Sequence, residues 1–220
     1  EKLGQAERAK VREIAESWRG QLTSVIWFMR CLNEHIARLA NTEDKVTGRF
    51  WEGRFKSQAL LDEAALAACM AYVDLNPVRA AMADTPEQSD HTSIQRRIQA
   101  LQSADPGTPD QPKDLAPFVG NERQDMPKGL PFRLQDYLAL VDWTGRHLRD
   151  DKRGAISTNT PPILQRLRIE PAKWLQLTTR FETHFRGLAG RPENIQQACH
   201  SRGQCWAHGM KAARQLFTLR

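Results

Sequence analysis

The residues best suited to do chemistry in this sequence lie in one stretch, residues 48–81. The tripeptide Gly-Arg-Phe occurs twice there, five residues apart, and Trp51 and Lys56 lie beside the two copies. Cations interleaved with aromatic rings can pair with phosphates and stack on bases, as proteins that hold single-stranded nucleic acid do. We therefore take Arg49, Arg54 and Lys56 as candidate phosphate contacts. The alternative is an amphipathic strand whose cations are only solvated.

Tyr72 is the candidate nucleophile of the same stretch. It lies in an apolar segment that begins after Asp62, an acidic residue suited to cap a helix. The pair Asn76-Pro77 predicts that this helix stops, or restarts as a new first turn, with Asn76 outside the α region. The helical period puts Tyr72 at the edge of an apolar face, so its ring can pack on a core while its hydroxyl reaches a cleft. The alternative is a tyrosine at the boundary of the core whose hydroxyl forms an ordinary hydrogen bond and has no chemical role.

A resemblance to a known family rests on these residues. The segment from Tyr72 to Ala80, YVDLNPVRA, preceded by GRFWEGRFKSQALLDEAAL, resembles the tyrosine-helix block of the Y1 (IS200-like) transposases, in particular the REP-associated tyrosine transposases. The likeness runs over about residues 24–98. It implies that Tyr72 attacks a DNA phosphodiester and becomes linked to the 5′ phosphate, and that the free 3′ hydroxyl later reverses the step. A tyrosine suits this chemistry because its phenolate is both a nucleophile and a leaving group.

The same resemblance implies a partner and a cofactor. The partner is single-stranded, hairpin-forming DNA, to which Arg79 is a fourth candidate contact. The cofactor is a divalent metal, Mg²⁺ or Mn²⁺, which the family holds with a His-hydrophobic-His pair on an upstream strand. No such pair occurs among the six histidines here. Because the chain also starts at Glu1 rather than Met, we expect the C-terminal two-thirds of such a transposase, with no metal ligand in this chain.

Two rival functions stay open at this point. A truncated or domesticated relative would bind structured DNA without cleaving it, and the missing histidine pair favours this interpretation because a metal would stabilise the charge on the phosphate. A helical interaction module without any role in nucleic-acid binding is the third hypothesis. A group of Cys and His residues near the C-terminus lacks the spacing of a paired zinc site, and we interpret it as incidental; it comprises Cys199, His200, Cys205 and His208.

Composition narrows the class of protein. The sequence has no run of eighteen apolar residues that would predict a membrane span, and it does not begin like a signal peptide. Four cysteines in 220 residues do not form a disulfide framework, which favours the cytoplasm. The charge is uneven: residues 132–220 carry fifteen Lys and Arg against seven Asp and Glu. A polyanion partner is therefore most expected there.

The pattern predicts a mainly α chain. The resemblance implies that it is the remnant of an α+β, ferredoxin-like core followed by a helical C-terminal unit. Residues 1–83 should hold two helices, at 2–19 and 24–40, a short strand near 55–61 and the tyrosine helix. Residues 84–131 carry seven of the twelve prolines and read as a linker with one short helix at 92–101. Residues 132–220 should form four helices and no strand, as a docking or homodimerisation module or a duplex reader of helix-turn-helix type. Pro161 or Pro162 should start the second of these helices, Pro171 should start the third, which runs to about 187, and the last should span 202–217. The third helix has a predicted apolar face that comprises Trp174, Leu177, Phe181, Phe185 and Leu188.

Overall fold

The computed structural model describes residues 4–103, 111–120, 128–148 and 160–217. Within these ranges the chain is mainly helical, which confirms the predicted class. The contacts divide the chain into two compact units, Glu1–Ser57 and Gln58–Arg220. No helix in the described ranges is long and apolar enough to cross a membrane.

The first unit is a pair of helices, α1 (Gln5–Leu22) and α2 (Val25–Glu43), followed by an irregular segment. The Ser24 hydroxyl accepts a hydrogen bond from the Trp27 amide at 3.3 Å and so caps α2, as an N-cap serine should. Gly20, predicted to end the first helix, lies inside α1 instead. The helix extends past it because nothing about an isolated glycine forbids the helical conformation.

The second unit begins with a strand of two residues, β1 (Ala59–Leu60), where the sequence predicted a strand over 55–61. It pairs in parallel with β2 (Leu188–Ala189), and the prediction that the C-terminal part lacks any strand is wrong. The Ala59 amide donates to the Gly187 carbonyl and the Leu61 amide to the Ala189 carbonyl, each at 2.9 Å. A pairing across this sequence distance leaves no periodic signal, because each partner contributes only two residues.

The tyrosine helix is α3 (Glu63–Asp74), and Asp62 caps it by accepting from the Ala65 amide at 2.9 Å, which confirms the predicted start. Asn76 does not leave the helical region as predicted, because a short helix α4 (Asn76–Arg79) starts at that residue with Pro77 in its first turn. A proline is tolerated there since a first-turn amide needs no helical acceptor.

The buried face of α3 is not the predicted one. The predicted face comprises Ala65, Leu66, Cys69, Met70 and Val73. In the structure Val73 is 56% exposed, and five alanines are buried: Ala64, Ala65, Ala67, Ala68 and Ala71. The small side chains of these alanines let a neighbouring helix approach closely, and that helix decides which face is covered.

The remaining helices are α5 (Ser93–Ser103), α6 (Leu134–Leu148), α7 (Pro162–Arg166), α8 (Pro171–His184), α9 (Pro192–Ser201) and α10 (Met210–Leu216). The single helix predicted over 202–217 is wrong: α9 ends before it, and α10 starts within it. Gly203, at φ +63°, and Gly209, at φ +97°, lie between the two helices. At Gly209 a Cβ would stand 2.7 Å from the Phe185 ring, so this break needs a glycine.

One core joins the parts of the second unit. The five residues of the predicted apolar face of this helix are all buried: Trp174, Leu177, Phe181, Phe185 and Leu188. The predicted helix is too long, however, because α8 ends at His184, Phe185 follows in an extended conformation and Leu188 lies in β2. Helix α8 packs chiefly against α3, and Ile94 of α5 also belongs to this core. The contacts therefore place the tyrosine helix with the C-terminal helices, whereas composition suggested boundaries at 83 and 131. Composition marks polar segments but cannot show which helices share a core.

Candidate functional site

Tyr72 lies half-buried in the last turn of α3, in the second unit. Its ring faces Phe181 of α8 at a centroid distance of 6.2 Å. The Arg79 guanidinium lies over the other part of the ring, 4.1 Å from its centroid. The ring is thus packed between two elements at the edge of the core, as the helical period predicted.

Arg79 holds this arrangement together. One guanidinium nitrogen donates to the Asn76 side-chain oxygen at 2.5 Å and the other to the Thr178 carbonyl of α8 at 3.3 Å. The cation therefore bridges the short helix α4 and α8 across the face of Tyr72. Because Arg79 is half-buried and forms no ion pair within the described ranges, its charge is available to a phosphate near the tyrosine.

The electrostatic surroundings keep Tyr72 protonated at neutral pH. Burial is the largest cause and raises the pKa of Tyr72 above its ordinary value. Arg79 lowers this pKa, while Glu182 raises it. The resting phenol is therefore not activated, and any attack by its oxygen needs a group that takes the proton.

Glu182 is the residue of this site that sequence reasoning missed. It lies 110 residues after Tyr72, next to Phe181 in the predicted apolar face of α8. No spacing rule connects the two positions. The packing of α8 on α3 brings them together, and the one available signal was that a charged residue adjoins a core phenylalanine.

Asp74 anchors the end of the tyrosine helix. It is 2% exposed, and its carboxylate accepts three hydrogen bonds, from the Ser93 hydroxyl at 2.9 Å, the Ile94 amide at 3.2 Å and the Tyr137 hydroxyl at 2.6 Å. Burial and the Asp74 carboxylate together hold the pKa of Tyr137 well above its ordinary value. Because Asp74 lies two residues after Tyr72, this network fixes the backbone that carries the tyrosine.

The other three predicted phosphate contacts lie in the first unit. The Arg49 guanidinium donates to the carbonyls of Trp51, at 2.7 Å, and Glu52, so it holds the shape of its own loop. Arg54 and Lys56 are exposed, and neither forms an ion pair in the described part of the chain. These cations and Tyr72 belong to separate units of the structure.

The aromatic residues among these cations are partly open to solvent. Phe50 and Trp51 are 42% and 39% exposed and meet edge to face at 4.9 Å. The Trp51 indole donates to the Asn33 carbonyl of α2 at 2.9 Å, which ties the loop to that helix. The alternative of an amphipathic strand with solvated cations requires rings that pack fully inward. These two rings do not.

The described residues do not provide a ligand set for the divalent metal that the resemblance implies. No group of three or more His, Cys, Asp and Glu side chains converges in the described ranges. We therefore derive no chemical step through a metal.

Comparisons with models of protein families, with curated proteins and with solved structures find no match to this chain. The family suggested by the segment from Tyr72 to Ala80 stays a prediction for that reason.

Proposed function

We propose that this protein binds hairpin-forming single-stranded DNA and that Tyr72 breaks and rejoins one strand, as a transposase of the REP-associated tyrosine branch would. The observation that supports this proposal is the setting of Tyr72, whose ring lies under the Arg79 guanidinium on a helix end anchored through Asp74.

The proposed reaction conserves the number of phosphoester bonds. The Tyr72 oxygen attacks the phosphorus, the bond from phosphorus to the 3′ oxygen breaks, and the tyrosine becomes joined to the 5′ phosphate. The tyrosine loses one proton and the departing 3′ oxygen gains one. Attack of a 3′ hydroxyl on the phosphotyrosine reverses the step. Arg79 is positioned to offset charge that develops on the phosphate oxygens.

The proposed DNA surface combines Arg49, Arg54 and Lys56 with the exposed rings of Phe50 and Trp51. Cations on a loop with open aromatic faces can follow a phosphate backbone and stack on unpaired bases. Arg79 contributes the contact at the cleavage point. The metal that the resemblance implies, Mg²⁺ or Mn²⁺, is left without assigned ligands.

The test is a covalent adduct. The full chain is incubated with hairpin oligonucleotides in Mg²⁺ or Mn²⁺ and analysed for a DNA-protein species that survives SDS. We expect the adduct in the wild type and its complete loss in Tyr72→Phe. The chain contains only one other tyrosine, the fully buried Tyr137, so peptide mapping of the adduct should find the DNA on Tyr72. Failure of the wild type to form any adduct would overturn the cleavage proposal.

One alternative function has an observation in its favour. The raised pKa of Tyr72 and the lack of a converging ligand set in the described ranges suit a protein that binds structured DNA without cutting it. In that case Tyr72→Phe leaves DNA affinity unchanged, while Arg54→Glu combined with Lys56→Glu abolishes it. An affinity that does not respond to salt would instead favour the interaction module.

We also propose the cytoplasm as the location and a homodimer as the assembly. The four cysteines, Cys31, Cys69, Cys199 and Cys205, are free, as a reducing compartment would keep them. Light scattering tests the assembly, because a homodimer should have about twice the 25.1 kDa of the chain.

A further inference from the structure

We propose that α7 and α8 form a helix-turn-helix and that the exposed side of α8 binds duplex DNA in its major groove, where Gln176 contacts an adenine. The proposal goes beyond the function proposed above, in which the first unit holds unpaired DNA and Tyr72 cleaves it, and it does not depend on cleavage. For residues 132–220 the sequence left a duplex reader of this type among several possibilities and did not indicate which helices would form it.

The connection between the two helices is a four-residue turn, residues 167–170. Two helices joined by a turn of about three or four residues form the helix-turn-helix of DNA-binding proteins, in which the second helix enters the major groove. The Arg168 amide donates to the Gln165 carbonyl, and the next amide donates to the Leu164 carbonyl, each at 3.0 Å. Arg168 has φ +52°, the left-handed conformation that ends a helix and redirects the chain.

The turn and one side of each helix belong to the core of the second unit. Apolar side chains recur before, within and after the turn, and each is at most 3% exposed: Ile163, Leu164, Leu167, Ile169, Trp174 and Leu177. The Trp174 indole also donates to the Thr144 hydroxyl of α6 at 2.9 Å. Helix α8 packs against α3, α6 and α10. Its orientation is therefore fixed by burial, as contact with base edges requires.

The opposite side of α8 carries the side chains suited to contact bases. Ala172, Gln176 and Thr179 are exposed and are spaced by four and three residues, so they lie on one side of the helix. All three precede Arg180, where the backbone leaves helical geometry (φ −133°, ψ 34°), so the helical spacing holds over this face. The sequence contains no acidic residue between the first and the last of them.

These three side chains match the groups that A·T pairs present in the major groove. The Gln176 amide can donate and accept at once, as the N7 and N6 atoms of adenine require. The methyl groups of Ala172 and Thr179 suit contact with the thymine methyl group. The Thr179 hydroxyl donates to the Leu175 carbonyl at 2.6 Å, so toward a base it offers an acceptor and its methyl group. We therefore expect a binding site that contains A·T pairs.

The charge of this region complements a phosphate backbone. Residues 160–191 contain six Lys and Arg against two Asp and Glu. Arg168 is exposed in the turn, and because the first helix of a helix-turn-helix crosses the DNA backbone, a cation between the two helices suits a phosphate contact. Glu170, which precedes α8, pairs with Lys173 at 3.1 Å, and this cation offsets its charge.

The test measures binding of the full chain to duplex DNA in the absence of divalent metal. The wild type selects from a library of short, blunt duplexes with a randomised centre, and fluorescence anisotropy gives its affinity for the selected duplex. We expect a preferred adenine in the selected sequence. Gln176→Ala should weaken binding to that duplex by about 10–100-fold, the effect of losing one bidentate base contact. Gln99→Ala, at an exposed glutamine of α5, is the matched control and should leave the affinity unchanged.

Two further variants separate the base contact from the phosphate contact. Gln176→Arg should change the preferred base at one position from adenine to guanine, because arginine pairs with the O6 and N7 atoms of guanine. Arg168→Gln should weaken binding to every duplex alike and should reduce the slope of log affinity against log salt by about 0.9, the value for one phosphate of B-form DNA. The circular dichroism of these variants should equal that of the wild type, since both side chains are exposed.

A wild type that binds no duplex would overturn the proposal. An affinity and a base preference that Gln176→Ala leaves unchanged would overturn it as well, because DNA would then be held elsewhere or only as a polyanion. The result is independent of the cleavage test, since Tyr72→Phe should bind the selected duplex as the wild type does. If duplex binding requires Gln176 and no covalent adduct forms, the cleavage proposal fails while the duplex contact of α8 stands.

Discussion

The two units of this chain differ in how they use their apolar side chains. Residues 4–57 contain no fully buried side chain, and large apolar residues such as Trp18, Ile26 and Phe28 are more than half exposed. Residues 58–217, where described, hold the entire buried core, including Trp174 and Tyr137 at 0% exposure. Both units contain long amphipathic helices. In the second unit the helices cover one another's apolar faces.

This difference matches the kinds of residue that each unit carries. The first unit holds the exposed cations Arg54 and Lys56, whose proposed task is to follow a flexible strand. The second unit holds Tyr72, whose proposed task requires a fixed hydroxyl. A site for bond making has to be supported by packed neighbours, whereas a phosphate-binding surface tolerates motion. The contrast predicts that substitutions in the two units affect different measurements.

The largest expected effect comes from a matched pair of tryptophans. Trp174→Ala removes a fully buried ring whose indole donates to the Thr144 hydroxyl at 2.9 Å. We expect a loss of about 3–5 kcal/mol in the free energy of unfolding, measured by urea denaturation with circular dichroism. Trp18→Ala, at a residue 64% exposed, should change it by less than about 0.5 kcal/mol. Equal losses would contradict the contrast between the units.

The buried tyrosine should come next. Tyr137→Phe keeps the ring but leaves one oxygen of the buried Asp74 carboxylate without its 2.6 Å partner. We expect a loss of about 1.5–3 kcal/mol, since a buried hydrogen bond to a charged group is removed. Tyr72→Phe, at the half-buried tyrosine of the same core, is the comparison and should cost less. If Tyr72→Phe lowers the free energy of unfolding more than Tyr137→Phe does, the Asp74 network does not hold the end of α3.

The same substitution should change the response to alkaline pH. In the unfolded chain Tyr137 ionises near its ordinary pKa of about 10, while in the folded protein its pKa lies well above that value. Its contribution to stability is therefore full below about pH 10 and is lost as the pH rises from there through the folded pKa. Above pH 10 the free energy of unfolding of the wild type should fall with pH more steeply than that of Tyr137→Phe. The two slopes should differ by about 1.4 kcal/mol per pH unit. Parallel slopes would show that the hydroxyl is not buried.

The smallest effect on stability should come from the exposed cations, although their effect on binding is measurable. Arg54→Gln and Lys56→Gln should each change the free energy of unfolding by less than about 0.5 kcal/mol. In titrations with single-stranded DNA each should reduce the slope of log affinity against log salt by about 0.7, the value for one phosphate contact. Lys10→Gln, at an exposed residue of α1 paired with Glu13, is the control and should leave the slope unchanged.

Local structure followed from the sequence where short-range rules decide it. Ser24 and Asp62 cap their helices as expected, because a side-chain oxygen next to a free first-turn amide needs no distant partner. Pro162 and Pro171 start α7 and α8, since proline lacks the amide that a first turn leaves unpaired. The burial of Trp174, Leu177 and Phe181 on α8 also followed from the helical period. These features fixed the helical class and the position of Tyr72 at the edge of a core.

The tertiary structure decided what surrounds Tyr72. The parallel pairing of Ala59 with Leu188 and the packing of α8 on the alanine face of α3 place Phe181 beside the ring of Tyr72, 109 residues earlier in the chain. Asp62 shows the two levels in one side chain: one oxygen caps its own helix, and the other accepts from the Arg191 amide at 2.6 Å. Local rules predict the first bond, whereas the second depends on which helices share a core. The spacing of residues in the sequence does not predict which helices pack together, because the free energy of that packing comes from burying whole apolar faces of helices against each other.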